Sequence, residues 1–211
     1  AFTDKVARYG IRAGDLLNRE YFKERLSQVL GLKNRIIVGA YGAVPLSLDE
    51  IYDQYMEYGR RLSPHIKDTT AIVNEALERG EPVMLEGAQG ALLDPDFGTY
   101  PFVTSSSPMG IVGAGIGPSK LKRIYGVFKA YCTRVGNGPM PSEIKGELGE
   151  RLRDLAQEFG TTTGRPRRCG WFDGVAARHS SRVNGFTGAI VTRLDILDAF
   201  DRIKICTAYK L

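Results

Sequence analysis

The sequence predicts an α/β fold with a mostly parallel central sheet and flanking helices. Short apolar runs of strand length alternate along the chain with segments of helical periodicity, which is the order typical of this class. Glycines and polar residues directly follow one of the apolar runs, in LEGAQG (85–90). Ligand sites of parallel sheets lie at such strand ends. Hydrophobic residues make up 43% of the 211, which is enough to bury a core.

Three helices are predicted before residue 80. The first covers Asn18–Leu30, and its apolar face is formed by Phe22, Leu26, Val29 and Leu30. RIIVGA (35–40) then reads as a short strand or a buried apolar edge. SLDE has the spacing of a capping box from Ser47 and opens a second helix, whose aligned residues are Ile51, Tyr55, Tyr58 and Leu62. The third covers Asp68–Arg79 and stops at Gly80.

The rest of the chain alternates strands with helices. Strands are predicted at Pro82–Leu85, Arg123–Thr133, Ala189–Thr192 and Ile203–Tyr209. Helices are predicted at Leu148–Phe159 and Trp171–Asn184, with stops at Gly160 and Gly185. No apolar run is long enough to span a bilayer, so no membrane partner is expected.

Composition favours a cytoplasmic protein with a phosphate-bearing ligand. The three cysteines are far apart and form no CxxC pair, which indicates reduced thiols rather than a zinc site or disulfides. The net charge of +5 suits either a nucleotide or a nucleic acid. Its densest part is a local knot of Arg165, Arg167 and Arg168, which favours a small phosphorylated ligand over a long polyanion.

Polar groups are concentrated after Leu85. In EGAQG, Gly87 and Gly90 allow a ligand to approach the backbone, and Gln89 can donate and accept; a simple chain reversal explains these residues equally well. The hydroxyls of TSSS (104–107) could contact phosphate or cap a turn. Asp94 and Asp96 could hold a metal, but a capped turn is the more common use of such a pair. Structural roles are predicted for both histidines, at positions 65 and 179.

A second concentration is GTTTGRPRRCGW (160–171). The planar guanidinium group suits bidentate contact with carboxylate or phosphate. Three arginines this close repel one another unless anions or carboxylates compensate them. An RNA-binding loop is the competing interpretation, although Trp171 is the only aromatic residue nearby that could stack on bases.

TRLD (192–195) follows a predicted strand. In GTP-binding proteins an aspartate after a basic residue at a strand end accepts from N1–H and the 2-amino group of guanine, a donor pair that adenine lacks. Here Arg193 and Asp195 occupy those positions. A salt-bridged strand end is the alternative.

Together these segments resemble the adenylosuccinate synthetase family across nearly the whole chain. The similar segments, in order, are DKVARYGIRAGDLL, LEGAQGALLDPDFGTYPFVTSS, KAYCTRVGNGPMPSE, GTTTGRPRRCGWFD and TRLDILDAFDRIKICTAY. The resemblance implies a P-loop-NTPase-like fold, incomplete in this chain. We expect residues 1–211 to be the central part of a single domain, without the family's N-terminal GDEGKGK segment and its C-terminal part.

The resemblance also implies an activity in AMP biosynthesis. A GTP-dependent ligase would join IMP and L-aspartate into adenylosuccinate through 6-phosphoryl-IMP, in a homodimer with a shared active site. The general base, the general acid and the Mg²⁺ ligands would lie outside this chain, so the fragment alone is expected to be inactive. A purine-nucleotide-binding module of the same family, without ligase activity, is the alternative, and a basic RNA-binding protein is a more distant one.

Site residues follow from the resemblance by position. The implied IMP contacts are Gln89, which orients IMP near the purine, Thr104 at the phosphate, Arg165, and Arg8 of the partner subunit. The implied aspartate contacts are Thr161, Thr162, Thr163, Gly164, Arg165 and Arg167. The implied GTP contacts are Arg167, Arg193, Leu194 and Asp195, with Arg193 at the position of the family's usual lysine.

Overall fold

The structure is a computed structural model that describes residues 2–108, 111, 113–160 and 164–210. Helices and short strands follow one another as an α/β fold. The Cα positions divide the chain into two compact units, Ala1–Glu81 and Pro82–Leu211, and each is described here by itself. None of the helices in the described ranges is long and apolar enough to cross a membrane.

The first unit is helical. Its α-helices are α1 (Phe2–Val6), α2 (Arg19–Tyr41), α3 (Leu48–Leu62) and α4 (Thr69–Glu78), and short 3₁₀ turns lie at Ala13–Leu17 and Ser63–His65. The core of this unit contains Leu16, Phe22 and Leu26, against which the first half of α3 packs.

Helix α2 continues well past the predicted end at Leu30. Asn18 caps its start by accepting from the amide of Tyr21, and Gly42, at φ 62°, ends it in the left-handed conformation. The prediction of a strand or apolar edge at residues 35–40 was therefore wrong. Gly31 is tolerated inside the helix, and no residue before Gly42 supplies a stop signal.

Helices α3 and α4 begin at the predicted capping residues. The Ser47 hydroxyl accepts from the amide of Glu50 at 3.3 Å, and Asp68 accepts from Ala71 at 3.1 Å. The predicted apolar face of α3 was wrong in part. Its packed residues are Leu48, Ile51, Tyr52 and Met56, whereas Tyr55, Tyr58 and Leu62 are exposed.

The described residues of the second unit form five strands in two sheets. The strands are β1 (Tyr125–Lys129), β2 (Tyr131–Arg134), β3 (Arg168–Asp173), β4 (Gly188–Thr192) and β5 (Ile205–Cys206). β1 and β4 form a parallel pair. The other sheet has the order β2-β3-β5, in which β3 is antiparallel to β2 and parallel to β5. The predicted strand at Ala189–Thr192 is confirmed as β4.

Three predicted strands differ from the structure. Pro82–Leu85 forms no strand, because no segment of the described chain pairs with it, and Met84 is 89% exposed. Arg123–Thr133 is two strands in different sheets, separated at Ala130. Only Ile205–Cys206 of the final strand pairs with a neighbour.

The helices of this unit also begin and end differently from the prediction. α5 (Glu147–Ala156) ends at Gln157, which takes the left-handed conformation expected of Gly160. α6 (Gly174–Asn184) ends at Gly185 as predicted. Its start is later, because Trp171–Asp173 belong to β3, and the Asp173 carboxylate caps the helix by accepting from Val175 and Ala176.

The core of the second unit lies between α5 and β3. It consists of Ala130, Tyr131, Leu152, Ala156, Cys169 and Leu197. The cysteines at positions 132, 169 and 206 are free thiols. Burial raises the pKa of Cys132 and Cys169, which keeps both thiols protonated at neutral pH.

We predict that Leu152→Ala lowers the free energy of unfolding by about 3 kcal/mol, because it leaves a cavity in this core. Leu152 is fully buried. Leu155 lies on the same helix and is 46% exposed, so Leu155→Ala should cost less than about 1 kcal/mol. Urea denaturation followed by circular dichroism measures both changes. Equal losses in the two variants would contradict this description of the core.

Candidate functional site

The arginine-rich segment forms a closed hairpin, which we call the arginine loop (158–167). The amide of Arg167 donates to the carbonyl of Glu158 at 2.9 Å, and Phe159 bridges to Pro166. Nearer the tip, the amide of Gly160 donates to the carbonyl of Arg165 at 2.8 Å. The predicted contacts Thr161, Thr162 and Thr163 lie outside the described residues. The loop therefore has a rigid base with Arg165 and Gly164 near its tip.

The Glu158 carboxylate lies at the base of the arginine loop and is 3% exposed. Its Oε1 accepts from Lys129 Nζ and from the Tyr131 hydroxyl, both at 2.6 Å. Its Oε2 accepts from Arg167 Nη1, also at 2.6 Å. One buried carboxylate thus connects the end of β1, the start of β2 and the loop.

These contacts keep Glu158 ionised. Burial alone raises the pKa of a carboxyl, but the hydrogen bonds from Lys129, Tyr131 and Arg167 outweigh burial and hold the pKa of Glu158 below its usual value. The same contact acts in the opposite direction on its partner. Burial and the bond to Glu158 raise the pKa of Tyr131 to about 12.

The predicted repulsion among the arginines is compensated by two carboxylates. Arg167 pairs with Glu158, and Arg168 makes a bidentate pair with Glu143, with both N···O distances 2.7 Å. Arg165 is different, because it is exposed and its side chain has no hydrogen bond or ion pair among the described residues. Arg165 is therefore the member of the knot available to an external anion.

The TRLD segment lies beside the same carboxylate. Arg193 Nη2 donates to the carbonyl of Ala156 at the end of α5. The phenol of Tyr131 is the main cause that raises the pKa of Arg193, and Glu158 contributes. Leu194 and Asp195 are exposed at the start of a 3₁₀ turn, Leu194–Ala199. The fold therefore brings the TRLD segment to the base of the arginine loop.

Backbone strain coincides with predicted site residues. Among the described residues, the non-glycine residues of positive φ are Arg8, Gln89, Gln157 and Arg193. The first, second and fourth were predicted to contact a ligand. Such conformations cost free energy and cluster at functional sites. Gln89 itself is exposed, at φ 58°, in the glycine loop that follows Leu85.

Asp94 organises the polar segment that contains Thr104. It is 3% exposed, and its Oδ1 accepts from the amides of Asp96 and Phe97 at 2.9 and 3.1 Å. Its Oδ2 accepts from the Ser107 hydroxyl at 3.1 Å. The capped turn is thus the correct interpretation of Asp94 and Asp96. Within the described ranges no group of three or more His, Cys, Asp or Glu could hold a metal ion.

Thr104 is fixed through its backbone, and its side chain stays partly exposed. Its amide donates to the carbonyl of Leu93 at 2.8 Å, while its hydroxyl lies 3.5 Å from that of Ser106. Arg134 of β2 connects this segment to the sheet, since its Nη2 donates to Thr99 Oγ1 and to the carbonyl of Phe102. The predicted phosphate contact thus has a braced backbone and an accessible hydroxyl.

Other predicted residues make separate contacts. Arg8 belongs to the first unit, where it is exposed and its carbonyl accepts from the guanidinium of Arg25. His179 lies 2.8 Å, through Nε2, from the carbonyl of Phe97, in agreement with a structural role. Among the described residues, the side chains of Gln89 and Thr104 make no hydrogen bond with the arginine loop.

Sequence reasoning missed the compensating residues of the arginine loop. Glu158, Glu143, Lys129 and Tyr131 were not predicted as site residues, although the need for compensating carboxylates was. Glu158 is the first residue of the arginine loop, and an acidic residue this close to an arginine cluster was the available signal. Lys129 and Tyr131 had no such signal, since only the pairing of β1 with β4 and of β2 with β3 places them near Glu158.

Comparisons with known proteins agree with one another. The adenylosuccinate synthetase family model matches residues 1–211. An adenylosuccinate synthetase of Dehalococcoides mccartyi is 58% identical over 100% of this chain and 51% of its own length. One of Streptococcus sanguinis is 50% identical over 100% and 50%. The chain spans about half the length of the curated relatives it matches.

A solved structure matches as well. Fully ligated adenylosuccinate synthetase from Plasmodium falciparum aligns with a TM-score of 0.84 and 37% identity, covering 93% of this chain and 46% of that one. The predicted α/β, P-loop-NTPase-like fold class is confirmed.

We predict that Asp94→Asn lowers the free energy of unfolding by about 1 to 2 kcal/mol at pH 7, because the charge-assisted bonds are lost. Burial opposes ionisation, yet the bonds from Asp96, Phe97 and Ser107 hold the pKa of Asp94 below its usual value. A depressed pKa stabilises the fold above the unfolded value of about 4, and that contribution disappears as the pH falls through the lower folded value.

The difference between Asp94→Asn and the unchanged protein should therefore shrink below about pH 4. Asp96→Asn is the matched control, because Asp96 is exposed and its carboxylate makes no hydrogen bond among the described residues. Urea midpoints across pH 3 to 7 test this. A constant difference at every pH would exclude the assigned role of the Asp94 carboxylate.

Proposed function

This chain belongs to the adenylosuccinate synthetase family, and from that membership we propose that the protein containing it is a GTP-dependent ligase that joins IMP and L-aspartate. We further propose that residues 1–211 are the central part of a single domain in that protein. The observation that best supports the ligand assignment is the meeting of the arginine loop and the TRLD segment around Glu158. An anion-binding loop and a guanine-reading segment would then lie in one site.

The proposed reaction has two steps. The N1 proton of IMP is removed by the general base, and O6 attacks the γ-phosphorus of GTP, whose bond to the β,γ-bridging oxygen breaks, which gives 6-phosphoryl-IMP and GDP. The amino group of L-aspartate then attacks C6, the phosphate leaves with the C6–O6 bond electrons, and the attacking nitrogen loses a proton. The products are adenylosuccinate, GDP and phosphate. Positioning and electrostatics contribute most to such transfers, and this chain's residues supply both.

For IMP, we propose that Gln89 orients the purine and that Thr104 contacts the phosphate. The positive φ of Gln89 supports this, because it holds an exposed amide in a strained turn. We propose that Arg8 of the partner subunit completes the phosphate site in a homodimer. Arg8 is also exposed and of positive φ.

For L-aspartate, we propose the tip of the arginine loop. Thr161, Thr162 and Thr163 would donate hydroxyl groups, Gly164 would allow close approach, and Arg165 would bind a carboxylate while also contacting IMP. The free guanidinium of Arg165 supports its role. Arg167 would lie between aspartate and GTP, since it is anchored at the loop base near TRLD.

For GTP, we propose that Asp195 accepts from N1–H and the 2-amino group of guanine, with Arg193 and Leu194 beside the base. Asp195 and Leu194 are exposed, which leaves them accessible to a base. The Arg193 guanidinium donates a hydrogen bond to the carbonyl of Ala156, which supports a fixed position for it beside the proposed guanine.

The family's Mg²⁺ does not fit the described residues. No group of acidic or imidazole side chains of the required size occurs in the described ranges, and Asp94 is occupied by backbone donors. No step above is therefore assigned to the ion. We propose that its ligands, together with the general base and acid, lie in the part of the protein that this chain does not span.

The proposal is tested by expressing the complete gene and following adenylosuccinate formation from IMP, L-aspartate and GTP. We expect turnover by the complete protein and none by the 211-residue chain alone. Saturable binding of IMP without turnover by the complete protein would instead favour a nucleotide-binding module. Salt-sensitive binding of random RNA, without binding of GTP or IMP, would favour an RNA-binding protein.

We predict that Arg165→Leu in the complete protein lowers kcat/KM for L-aspartate and for IMP by roughly 100-fold, because a charge-assisted contact of about 3 kcal/mol is lost. Arg182→Leu is the matched control, since Arg182 is exposed on α6 of the same unit. Steady-state kinetics with each substrate varied in turn gives the values. Unchanged kinetics in Arg165→Leu would remove Arg165 from the site.

We predict that Asp195→Asn changes the preferred nucleotide from GTP to XTP by roughly 100-fold in relative kcat/KM. An asparagine amide can accept from N1–H and donate to the 2-oxo group of xanthine, whereas it cannot accept a second bond from the 2-amino group of guanine. Asp198→Asn is the control, because Asp198 is exposed on the same turn. A variant that retains full preference for GTP would exclude Asp195 from guanine recognition.

A further inference from the structure

The Glu158 carboxylate has no freedom to rotate. Both of its oxygens accept hydrogen bonds, Oε1 from Lys129 and Tyr131 and Oε2 from Arg167. Tyr131 is 1% exposed, so its ring cannot move to release the bond. A carboxylate fixed in this way sets the direction of every donor that it binds.

Arg167 is fixed at three points. Its amide donates to the carbonyl of Glu158, its carbonyl accepts from Arg153 Nε at 2.8 Å, and its Nη1 donates to the Glu158 carboxylate. The Arg167 side chain is 26% exposed, and its Nη2 has no hydrogen bond among the described residues. Its Nε is buried and also has no hydrogen-bond partner among the described residues, so Nε and Nη2 are the donors left over while the bond from Nη1 to Glu158 sets the direction of the guanidinium.

Arg193 contacts the backbone just before Glu158. Its guanidinium donates to the carbonyl of Ala156, two residues before Glu158 in the chain. Tyr131 and Glu158 both act on its charge. The backbone that leads into Glu158 therefore contacts the TRLD segment, while the carboxylate of Glu158 holds the arginine loop.

The charges around Glu158 do not balance. Lys129 and Arg167 both donate to the Glu158 carboxylate, whereas the charge of Arg193 is acted on by Glu158 and by a second carboxylate, Asp195. A site that only attracted phosphate would bind it more strongly without the carboxylate, because Glu158 offsets one of the two cations that donate to it. Its presence indicates that it fixes the direction of the cations rather than adding attraction.

We propose that Glu158 is a positioning residue of the ligand site, whose buried carboxylate aligns Arg167, beside Arg193, toward the nucleotide. This inference rests on the proposed function, because it takes Arg167 and Arg193 as ligand contacts. In this proposal Glu158 itself does not contact a substrate.

The test is Glu158→Gln in the complete protein. Glutamine has nearly the same shape, but it carries no charge, and one of the two accepting oxygens is replaced by an NH2 group that donates. Electrostatic attraction alone predicts tighter binding of GTP by the variant, because the site becomes more positive. Positioning predicts the opposite, a KM for GTP and for L-aspartate about tenfold higher, with the KM for IMP changed less than twofold.

Tyr131→Phe keeps the carboxylate and the packing while it removes one donor. We expect it to raise the KM for GTP, because the carboxylate that holds Arg167 loses one of the donors that fix it, and to raise it less than Glu158→Gln does. This second variant keeps the proposal falsifiable if Glu158→Gln does not fold. Glu143→Gln is the matched control, because it breaks the Arg168–Glu143 pair of the same type. It should lower stability without changing any KM.

Several outcomes would overturn the proposal. They are an unchanged or lower KM for GTP in Glu158→Gln, an equal rise for all three substrates, and the same kinetic effect in Glu143→Gln. Absence of turnover by the unchanged complete protein would instead count against the proposed function. Equilibrium dialysis with GTP then decides the role of Glu158. Weaker binding by Glu158→Gln than by the unchanged protein supports positioning. Equal or tighter binding by the variant, or no binding by the unchanged protein, contradicts it.

Discussion

The described site depends on one buried carboxylate. Glu158 accepts from a lysine, a tyrosine and an arginine, each at 2.6 Å, and its backbone closes the base of the arginine loop. Without that acceptor, Lys129 and Arg167 would carry unpaired charge in a partly buried region, which is costly. The ends of β1 and α5 and the start of β2 are therefore held together by the same group that orients the loop.

In the arginine knot of this basic chain, the arginines that pair with a carboxylate are fixed, and the one without such a partner is free to bind an anion. Glu158 and Glu143 each hold one arginine of the knot, whereas Arg165 near the tip of the loop has no partner among the described residues. A single exposed cation on a braced base can bind an external anion without reorganisation of the loop. This arrangement would let three neighbouring arginines combine stability with the ligand binding that we propose.

Sequence patterns predicted the features that depend on local signals. Helices begin at the predicted boundaries Asn18, Ser47 and Asp68, of which Ser47 was predicted from a capping box, and β4 coincides with its apolar run. Features that depend on pairing were not predictable in the same way. Pro82–Leu85 is apolar but has no partner strand in the described chain. RCGWFD (168–173) forms β3 only because β2 and β5 flank it.

The candidate site also combines features that had a sequence signal with features that had none. The arginine loop, Gln89 and TRLD were identified from residue types, and the positive φ of Gln89 and Arg193 agrees with that choice. The connection between the loop and TRLD was not foreseen, because it passes through Lys129 and Tyr131, which are distant in sequence from both.

The most direct test of this account is a crystal structure of the complete protein with IMP and a non-hydrolysable GTP analogue. The account predicts that the Asp195 carboxylate lies about 2.8 Å from N1 and the 2-amino nitrogen of guanine. It also predicts that Arg167 contacts ligand through Nη2 while Nη1 remains bonded to Glu158. Guanine bound away from Asp195, or Arg167 released from Glu158 in the complex, would contradict it.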